Sequence, residues 1–213
     1  MIAETSSYLQ PIVDELLKTW PGNRTVNFVC HGHSVPSGYF ATPVVDSFQA
    51  YPHLWHRRLK ARFPFAVINV IVTAIGGESS DEGALRFERD VLNHRPDVIT
   101  IDYALNDRRI GLDAAERAHR VMIEAALAKK CPVLLLGPTP DLVERPLFET
   151  LKRHDALLSQ LAAEYEVGYV DVLPSFEQAA VRHGWENLMS WANHPNGRGH
   201  ELVAEALMRY LPF

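Results

Sequence analysis

The sequence has little of what marks several classes of protein. Among its 213 residues, 21 Lys and Arg stand against 26 Asp and Glu, which gives a formal net charge of −5. There is no cluster of basic residues of the kind that binds nucleic acid. No apolar run approaches the roughly 18 residues of a membrane span. The N-terminal segment contains acidic side chains and no continuous apolar stretch, so it does not predict a signal peptide.

Cysteine is scarce as well, because the chain has only Cys30 and Cys131. Both lie in or beside apolar segments and are expected to be buried free thiols. Such thiols suit a reducing compartment better than a disulfide-stabilised secreted domain. We therefore expect a cytoplasmic protein, and secretion stays open if a leader precedes the given sequence.

What is present is the composition of an ordinary globular protein, with 47% hydrophobic and 22% charged residues. We find no internal repeat, low-complexity stretch or linker, so residues 1–213 are expected to form one domain. Short apolar segments rich in β-branched residues predict buried strands at 26–30, 66–72, 97–103, 132–137 and 168–172. Amphipathic patterns and capping signals predict helices over 6–20, 41–63 (broken at Pro52), 79–92, 113–130, 148–165 and 197–211.

This alternation indicates a parallel sheet with helices on both faces, a three-layer α/β/α domain of about five strands. Sheets of this kind bind ligands at the carboxyl ends of their strands. Glycine and polar residues follow the first three strands and precede the last helix, in Gly32–Gly38, Gly76–Ser79, Ala104–Asp107 and Asn193–His200. They supply a hydroxyl, glycine main chain at a helix start, an amide and a histidine, which is the set of groups that acyl transfer needs.

The four segments together resemble the sequence blocks of the SGNH (GDSL-type) hydrolases, serine esterases and lipases on a flavodoxin-like, doubly wound sheet. The resemblance runs in order over about residues 25–207. It implies an acyl-enzyme on Ser34, with His194 as the base. It also implies an oxyanion hole formed by the main-chain N–H groups of Ser34 and Gly77 and the side-chain amide of Asn106, with no cofactor.

The sequence departs from the family pattern at the position of the catalytic acid. Trp191 stands three residues before His194, where the family normally has an aspartate. The imidazole then needs another partner to fix its tautomer. A main-chain carbonyl would leave a Ser34–His194 dyad, and a carboxylate from elsewhere, such as Glu186 or Asp171, is the alternative.

Four further residues are expected around the site rather than in the reaction. His33 replaces the usual aspartate before the serine, Asp107 braces its loop, and Tyr39 and Trp191 line a pocket or pack in its walls. A competing hypothesis is a metal bound by His31, His33 and His194. No carboxylate or cysteine completes that set at an informative spacing, so we expect no metal.

Other enzyme motifs are missing. The sequence has neither the G-x-x-x-x-G-K-[ST] loop nor a G-x-G-x-x-G segment after a predicted strand. Glycine follows Ser34 at plus four, in Gly38, rather than at plus two, which excludes the G-x-S-x-G elbow of α/β-hydrolases.

The sequence thus predicts a metal-independent serine ester hydrolase for a small-molecule O-acyl ester, with short acyl groups such as acetyl on a carbohydrate. Two alternatives remain: an acyltransferase on the same fold, and a non-catalytic binding module that has lost the acid. The oligomeric state is left open.

If Ser34 is the nucleophile, a fluorophosphonate should label the protein at this residue, because an activated serine hydroxyl attacks phosphorus. Ser34→Ala should abolish both labelling, mapped by peptide mass spectrometry, and ester turnover. A chelator should leave activity unchanged. Labelling at another residue, or more than trace turnover by Ser34→Ala, would contradict the assignment.

Overall fold

The apolar segments form one parallel sheet in a computed structural model that describes residues 1–143 and 148–212. The strands are β1 (Thr25–Gly32), β2 (Val67–Val72), β3 (Val98–Asp102), β4 (Val133–Leu136) and β5 (Gly168–Val170). Their order is β2-β1-β3-β4-β5, and every neighbouring pair is parallel. This confirms the predicted doubly wound sheet of flavodoxin type. The direction of winding reverses between β1 and β3, where such sheets bind their ligands.

Helices cover both faces of the sheet, which confirms the three layers. One face carries α1 (Gln10–Leu16), α3 (Tyr51–Arg62), α8 (Leu173–His183) and α9 (Gly197–Met208). The other carries α4 (Ser80–Asp90), α6 (Leu112–Ala128) and α7 (Glu149–Tyr165). Two short helices, α2 (Ser34–Ser37) and α5 (Ala104–Asp107), directly follow β1 and β3. Within 1–143 and 148–212, no helix is long and apolar enough to cross a bilayer.

Alternating side chains of β1 enter two separate cores. Phe28 packs edge-on against Trp55 of α3, with ring centroids 4.9 Å apart, in the core beneath α3 and α9. Val29 points the other way and joins Ile99 and Met122 under α4 and α6. Each fully buried side chain of this size stabilises the fold by about 1.5–3 kcal/mol. Both faces of the central strands are therefore apolar, which explains their nearly continuous hydrophobic sequence.

The predicted N-terminal helices are too long. The helix expected over 6–20 is limited to α1, and Trp20 lies outside it with 83% of its surface exposed. Pro21 disfavours a helical conformation at Trp20. Pro52 occupies the first turn of α3, where proline is tolerated, so it begins the helix rather than breaking it. Before it, only a short 3₁₀ turn forms at Ser47–Gln49.

Two other boundaries also differ from the prediction. α6 starts after Gly111 rather than being capped by Asp113, and it ends before Lys129 and Lys130. β5 ends at Val170, and the chain turns into α8, which was not predicted. Pro174 lies in the first turn of α8, where its missing N–H costs nothing.

Two predicted caps are confirmed. Ser79 and Glu82 form a capping box at the start of α4. The Asn196 side chain accepts hydrogen bonds from the Arg198 N–H at 2.9 Å and the Gly199 N–H at 3.2 Å, at the start of α9. These caps fix the ends of helices that begin beside the site.

Asn196→Ala should lower the free energy of unfolding by about 1 kcal/mol, because two main-chain donors lose their acceptor. Urea unfolding with an unchanged m-value would measure this. The matched control is the exposed Asn93→Ala, which should stay within about 0.5 kcal/mol of the parent. Equal losses in the two variants would show that water replaces the cap.

Candidate active site

Ser34 lies where β1 ends, at the first position of α2, and is 7% exposed. The turn is tight. A Cβ on Gly32 would come within 2.5 Å of the Asp102 carbonyl oxygen, so only glycine fits beside β3. Gly38 ends α2 in the left-handed region at φ 88°. Glycine is therefore required on both sides of Ser34, at Gly32 for lack of space and at Gly38 for its backbone conformation. The serine lies between the ends of β1 and β3.

The structure brings His194 to this serine. Its Nε2 lies 3.0 Å from the Ser34 Oγ. The main chain of His194 is fixed by a tight loop, in which its carbonyl accepts from the N–H groups of Ser190 and Trp191 at 2.9 and 3.2 Å. The Ser190 hydroxyl donates to the same carbonyl at 3.1 Å. The imidazole is thus positioned by its own loop before any substrate binds.

Gly77 lies in the turn that follows β2. The Glu78 N–H donates to the Ile75 carbonyl at 3.3 Å, and Gly77 has φ 82° in the third position, as in a type II turn. Arg109 donates to the Gly77 carbonyl. In the part of the chain that the structure describes, no group accepts from the main-chain N–H of either Gly77 or Ser34. Both donors are left for a ligand.

Asn106 lies in α5, directly after β3, and its amide nitrogen donates to the Glu78 carbonyl at 2.9 Å. An amide carries two hydrogens, so one donor remains. The bond joins the loop after β3 to the loop after β2. The three residues expected to form the oxyanion hole therefore follow three neighbouring strands.

A buried ionic network holds the second loop in place. Glu78, which stands where the family pattern has an aspartate, pairs with Arg86 of α4, and its Oε2 accepts from the Tyr103 hydroxyl at 2.8 Å. Arg86 also donates to the Thr73 carbonyl at 2.7 Å. Removing one partner of such a pair leaves an uncompensated buried charge, at a typical cost of about 3–5 kcal/mol. The sequence analysis did not recognise this network, because Glu78 and Arg86 meet only through the fold.

Asp107 is fully buried and does not face the crevice. Its Oδ1 accepts from the Ser80 N–H at 2.8 Å, and its Oδ2 lies 3.7 Å from the His119 Nδ1. It therefore connects α5 to the first turn of α4, which agrees with the bracing role expected from the sequence.

The three histidines of the alternative metal hypothesis do not converge. The His31 Nδ1 lies 2.9 Å from the Thr73 Oγ1 and its Nε2 lies 3.1 Å from the Tyr103 hydroxyl, in the core beneath α4. Burial lowers its pKa to about 3. His33 and His194 both approach Ser34 instead. In residues 1–143 and 148–212, no group of three or more His, Cys, Asp or Glu is arranged to hold a metal ion.

Tyr39 lies beside the imidazole of His194, and Trp191 belongs to the loop that carries this histidine. Tyr39 is 40% exposed, and its ring centroid lies 6.2 Å from that of His194. A Cβ on Gly76 would come within 2.7 Å of the Tyr39 Cζ, so this glycine lets the ring lie against the second loop. Trp191 is 59% exposed. Both aromatic rings present apolar surface to solvent, and that of Tyr39 does so next to His194.

The surroundings of His194 lower its pKa from the ordinary 6.5. Burial is the largest cause and the neighbouring His33 adds to it, while the Phe40 carbonyl and the charge of Asp141 act in the opposite direction. The Nδ1 atom is buried and makes no hydrogen bond within the described residues, so the contact with Phe40 falls short of one. A lowered pKa favours the neutral form of the imidazole, which is the form that can accept a proton.

Neither carboxylate considered from the sequence acts on His194. Glu186 is exposed beside Asn187. Burial raises the pKa of Asp171, and the charged groups that also change this pKa are Arg209 and Glu177, not His194.

The carboxylate whose charge raises the pKa of His194 is Asp141, in the loop after β4. It accepts from the Arg108 Nη2 at 2.7 Å and from the Val143 N–H at 3.0 Å. The Leu142 N–H donates to the Ala192 carbonyl at 2.8 Å, which ties this loop to the histidine loop. Asp141 is not among the residues predicted from the sequence, although its position after a predicted strand is a usable signal.

Fold and site together define a serine ester hydrolase of the SGNH type. The sequence profile of the GDSL-like Lipase/Acylhydrolase family matches residues 30–202. The chain belongs to this family, and it is a carboxylic ester hydrolase.

Named relatives agree with this assignment. An acetylxylan esterase from Geobacillus stearothermophilus is 25% identical over 170 residues, which cover 73% of this chain and 77% of the relative. The crystal structure of Axe2, an acetylxylan esterase from the same organism, superimposes with a TM-score of 0.78 at 21% identity and covers 92% of this chain and 96% of its own. A catalytic mutant of Axe2 gives 0.77 at 22% identity, covering 88% and 94%. The structural matches establish the fold.

We expect the acid limb of the kcat/KM pH profile to have its midpoint below 6.5, because the pKa of His194 is lowered from that value. Asp141→Asn removes a charge that raises this pKa, so the limb should move to still lower pH. Asp171→Asn and Glu186→Gln are the controls and should leave the limb in place, with losses in kcat below about tenfold. A loss near 10⁴, as when a triad acid is neutralised, would identify the changed residue as the acid.

Proposed function

We propose that Ser34 is the nucleophile and His194 the general base of this ester hydrolase. The observation that carries the proposal is the 3.0 Å contact between the Ser34 Oγ and the His194 Nε2 at the switch point of the sheet. His194 takes the serine proton as the Oγ attacks the acyl carbonyl, and it returns the proton to the leaving alcohol. Water, deprotonated by the same imidazole, then hydrolyses the acyl-enzyme.

The oxyanion is held by the main-chain N–H groups of Ser34 and Gly77 and by the amide of Asn106. Support comes from the two unengaged main-chain donors and from the amide hydrogen that Glu78 leaves free. Donors fixed before the reaction are effective because they need no reorganisation as charge develops.

The catalytic unit is a dyad with distant electrostatic support. No carboxylate among the described residues bonds to the His194 Nδ1, and Asp141 acts on the imidazole only through space. The imidazolium that forms during the reaction is thereby stabilised less than in a triad with a hydrogen-bonded acid.

The substrate in this proposal is an O-acetyl ester of a carbohydrate. The relative from Geobacillus stearothermophilus is an acetylxylan esterase, which supports this class. The exposed ring of Tyr39 beside His194, and the exposed ring of Trp191 in the loop that carries His194, offer apolar surface on which a sugar ring can stack. The loops around Ser34 otherwise supply glycine and polar side chains, which suits a short acyl group. We further propose that residues 1–213 form one domain and, because both cysteines are free and buried, that the protein works in the cytoplasm.

Acetate release from acetylated xylooligosaccharides, together with turnover of aryl esters from acetyl to palmitoyl, tests the proposal, with Ser34→Ala as the matched blank. The parent should release acetate, and kcat/KM should fall steeply as the acyl chain lengthens. A preference for long chains would overturn the substrate class. Acetyl transfer that depends on an added sugar acceptor would identify an acyltransferase. A protein that neither releases acetate nor reacts with an activated ester would be a binding module.

A further inference from the structure

The hydroxyl of Ser34 lies between two imidazoles, not one. The His194 Nε2 is 3.0 Å from the Oγ, and the His33 Nδ1 is 3.4 Å from the same atom. His33 is fully buried, so it reaches Ser34 from the interior while His194 reaches it from the half-buried loop. The dyad of the proposed function uses only one of the two.

Main-chain geometry defines the tautomer of His33. The Val35 N–H donates to its Nδ1 at 3.3 Å, so this nitrogen carries the lone pair. The ring hydrogen is then on Nε2, which lies 3.3 Å from the Asp102 Oδ1. That contact is too bent to count as a hydrogen bond, yet it is the shortest imidazole–carboxylate contact in the part of the chain that the structure describes.

Asp102 itself is 2% exposed, and its Oδ2 accepts from the Tyr51 hydroxyl at 3.2 Å. A carboxylate in such a position can offset a positive charge formed beside it during a reaction. Protonation of His33 at Nδ1 would create that charge. His194, by contrast, has no hydrogen-bond partner at Nδ1 within residues 1–143 and 148–212. His33 thus has a carboxylate next to its second ring nitrogen, that of Asp102, which His194 lacks among the described residues.

Resting on the proposed function, we propose that His33, oriented by Asp102, is a second proton acceptor for the Ser34 hydroxyl. In the acylation step the O–H bond breaks, the proton moves to the His33 Nδ1, which gives up its hydrogen bond from the Val35 N–H, and the Oγ forms its bond to the acyl carbon. An aryl oxide then leaves as the anion, and the proton stays on the imidazolium beside Asp102. His33 is fully buried, so it cannot deliver the proton to an alkyl alcohol or activate a solvent water.

The His194→Ala variant isolates this route. With an aryl acetate it should release a burst of aryl oxide stoichiometric with the enzyme, followed by turnover far slower than in the parent, because the acetyl-enzyme forms but is not hydrolysed. Mass spectrometry should find one acetyl group on Ser34. Carbohydrate acetates, whose leaving group needs a proton, should give no acetyl-enzyme.

His33→Asn in the His194→Ala background should remove the burst, because the asparagine oxygen still accepts from the Val35 N–H but is no base. The matched control is His200→Asn in the same background. His200 is also a buried histidine whose Nδ1 accepts from a main-chain N–H, that of Tyr51 at 3.2 Å, and no contact joins it to Ser34 among the described residues. The control should keep its burst.

The Asp102→Asn/His194→Ala variant tests whether Asp102 positions His33 for proton transfer. Neutralising a triad acid costs about 10⁴ in kcat, and the longer contact here predicts a burst slowed by at least about tenfold with its amplitude unchanged. Added imidazole should restore turnover in every His194→Ala variant that keeps a folded site with Ser34 intact. This rescue shows that a lost burst is not a lost fold.

A burst that persists in His33→Asn/His194→Ala overturns the role of His33, and so does the absence of a burst in His194→Ala that imidazole rescues. Neither result touches Ser34. If Ser34→Ala still forms an acyl-enzyme, the proposed function itself fails. If imidazole does not rescue the His33→Asn/His194→Ala variant, that variant has lost its folded site and the Asp102→Asn/His194→Ala variant tests the proposal instead. A burst in that variant as fast as in His194→Ala would overturn the proposal that Asp102 orients His33 as a proton acceptor.

Discussion

The close approach of β1 and β3 at their carboxyl ends is the constraint on which the site depends. Gly32 and Asp102 face each other in the register of the two strands, and no side chain fits between them. The His33 N–H donates to the Asp102 carbonyl at 3.2 Å, one residue beyond the strand. A larger residue at Gly32 would push the strands apart where the chain turns into α2. The serine, its histidine neighbour and the buried carboxylate would then all move together.

Three buried carboxylates fix the segments at this edge of the sheet through contacts inside the protein. Glu78 pairs with Arg86, Asp107 accepts from the Ser80 N–H, and Asp102 accepts from a tyrosine hydroxyl. Buried polar groups are stable only when their hydrogen bonds are made inside the protein. Each of these contacts joins segments that follow or flank different strands. These carboxylates thereby fix the loops around the serine. Among the described residues, the side chains that contact the Ser34 Oγ are the two imidazoles.

How far the sequence predicts this molecule depends on whether a signal is local. The strands were found because a sheet covered on both faces needs continuous apolar segments, and the caps of Ser79 and Asn196 were found because capping residues act over three or four positions. α8 was missed because only Leu173 and Phe176 of this helix are buried, which leaves too few apolar positions to show a helical period. The four site segments were recognised as a set, which no single segment would have allowed.

The features of the site that could not be predicted from the sequence are contacts between segments that are distant in the chain. Nothing near His194 in the chain indicates that Asp141 influences it, because the two loops meet only when β4 and the segment before α9 are in place. The relation of His33 to Asp102 follows from the pairing of β1 with β3 and not from spacing. The sequence suggested a main-chain acceptor for His194, and the Phe40 carbonyl does act on that imidazole without completing a hydrogen bond.

The contact between Ser34 and His194 joins residues that are 160 positions apart. Closing so long a loop costs conformational entropy that only the docking of the intervening strands and helices can offset. A chain in which α9 has not yet packed against α3 cannot hold the histidine loop over the serine. The contact between the two side chains is therefore a property of the completed fold, because it needs both the end of β1 and the loop before α9 in their final places.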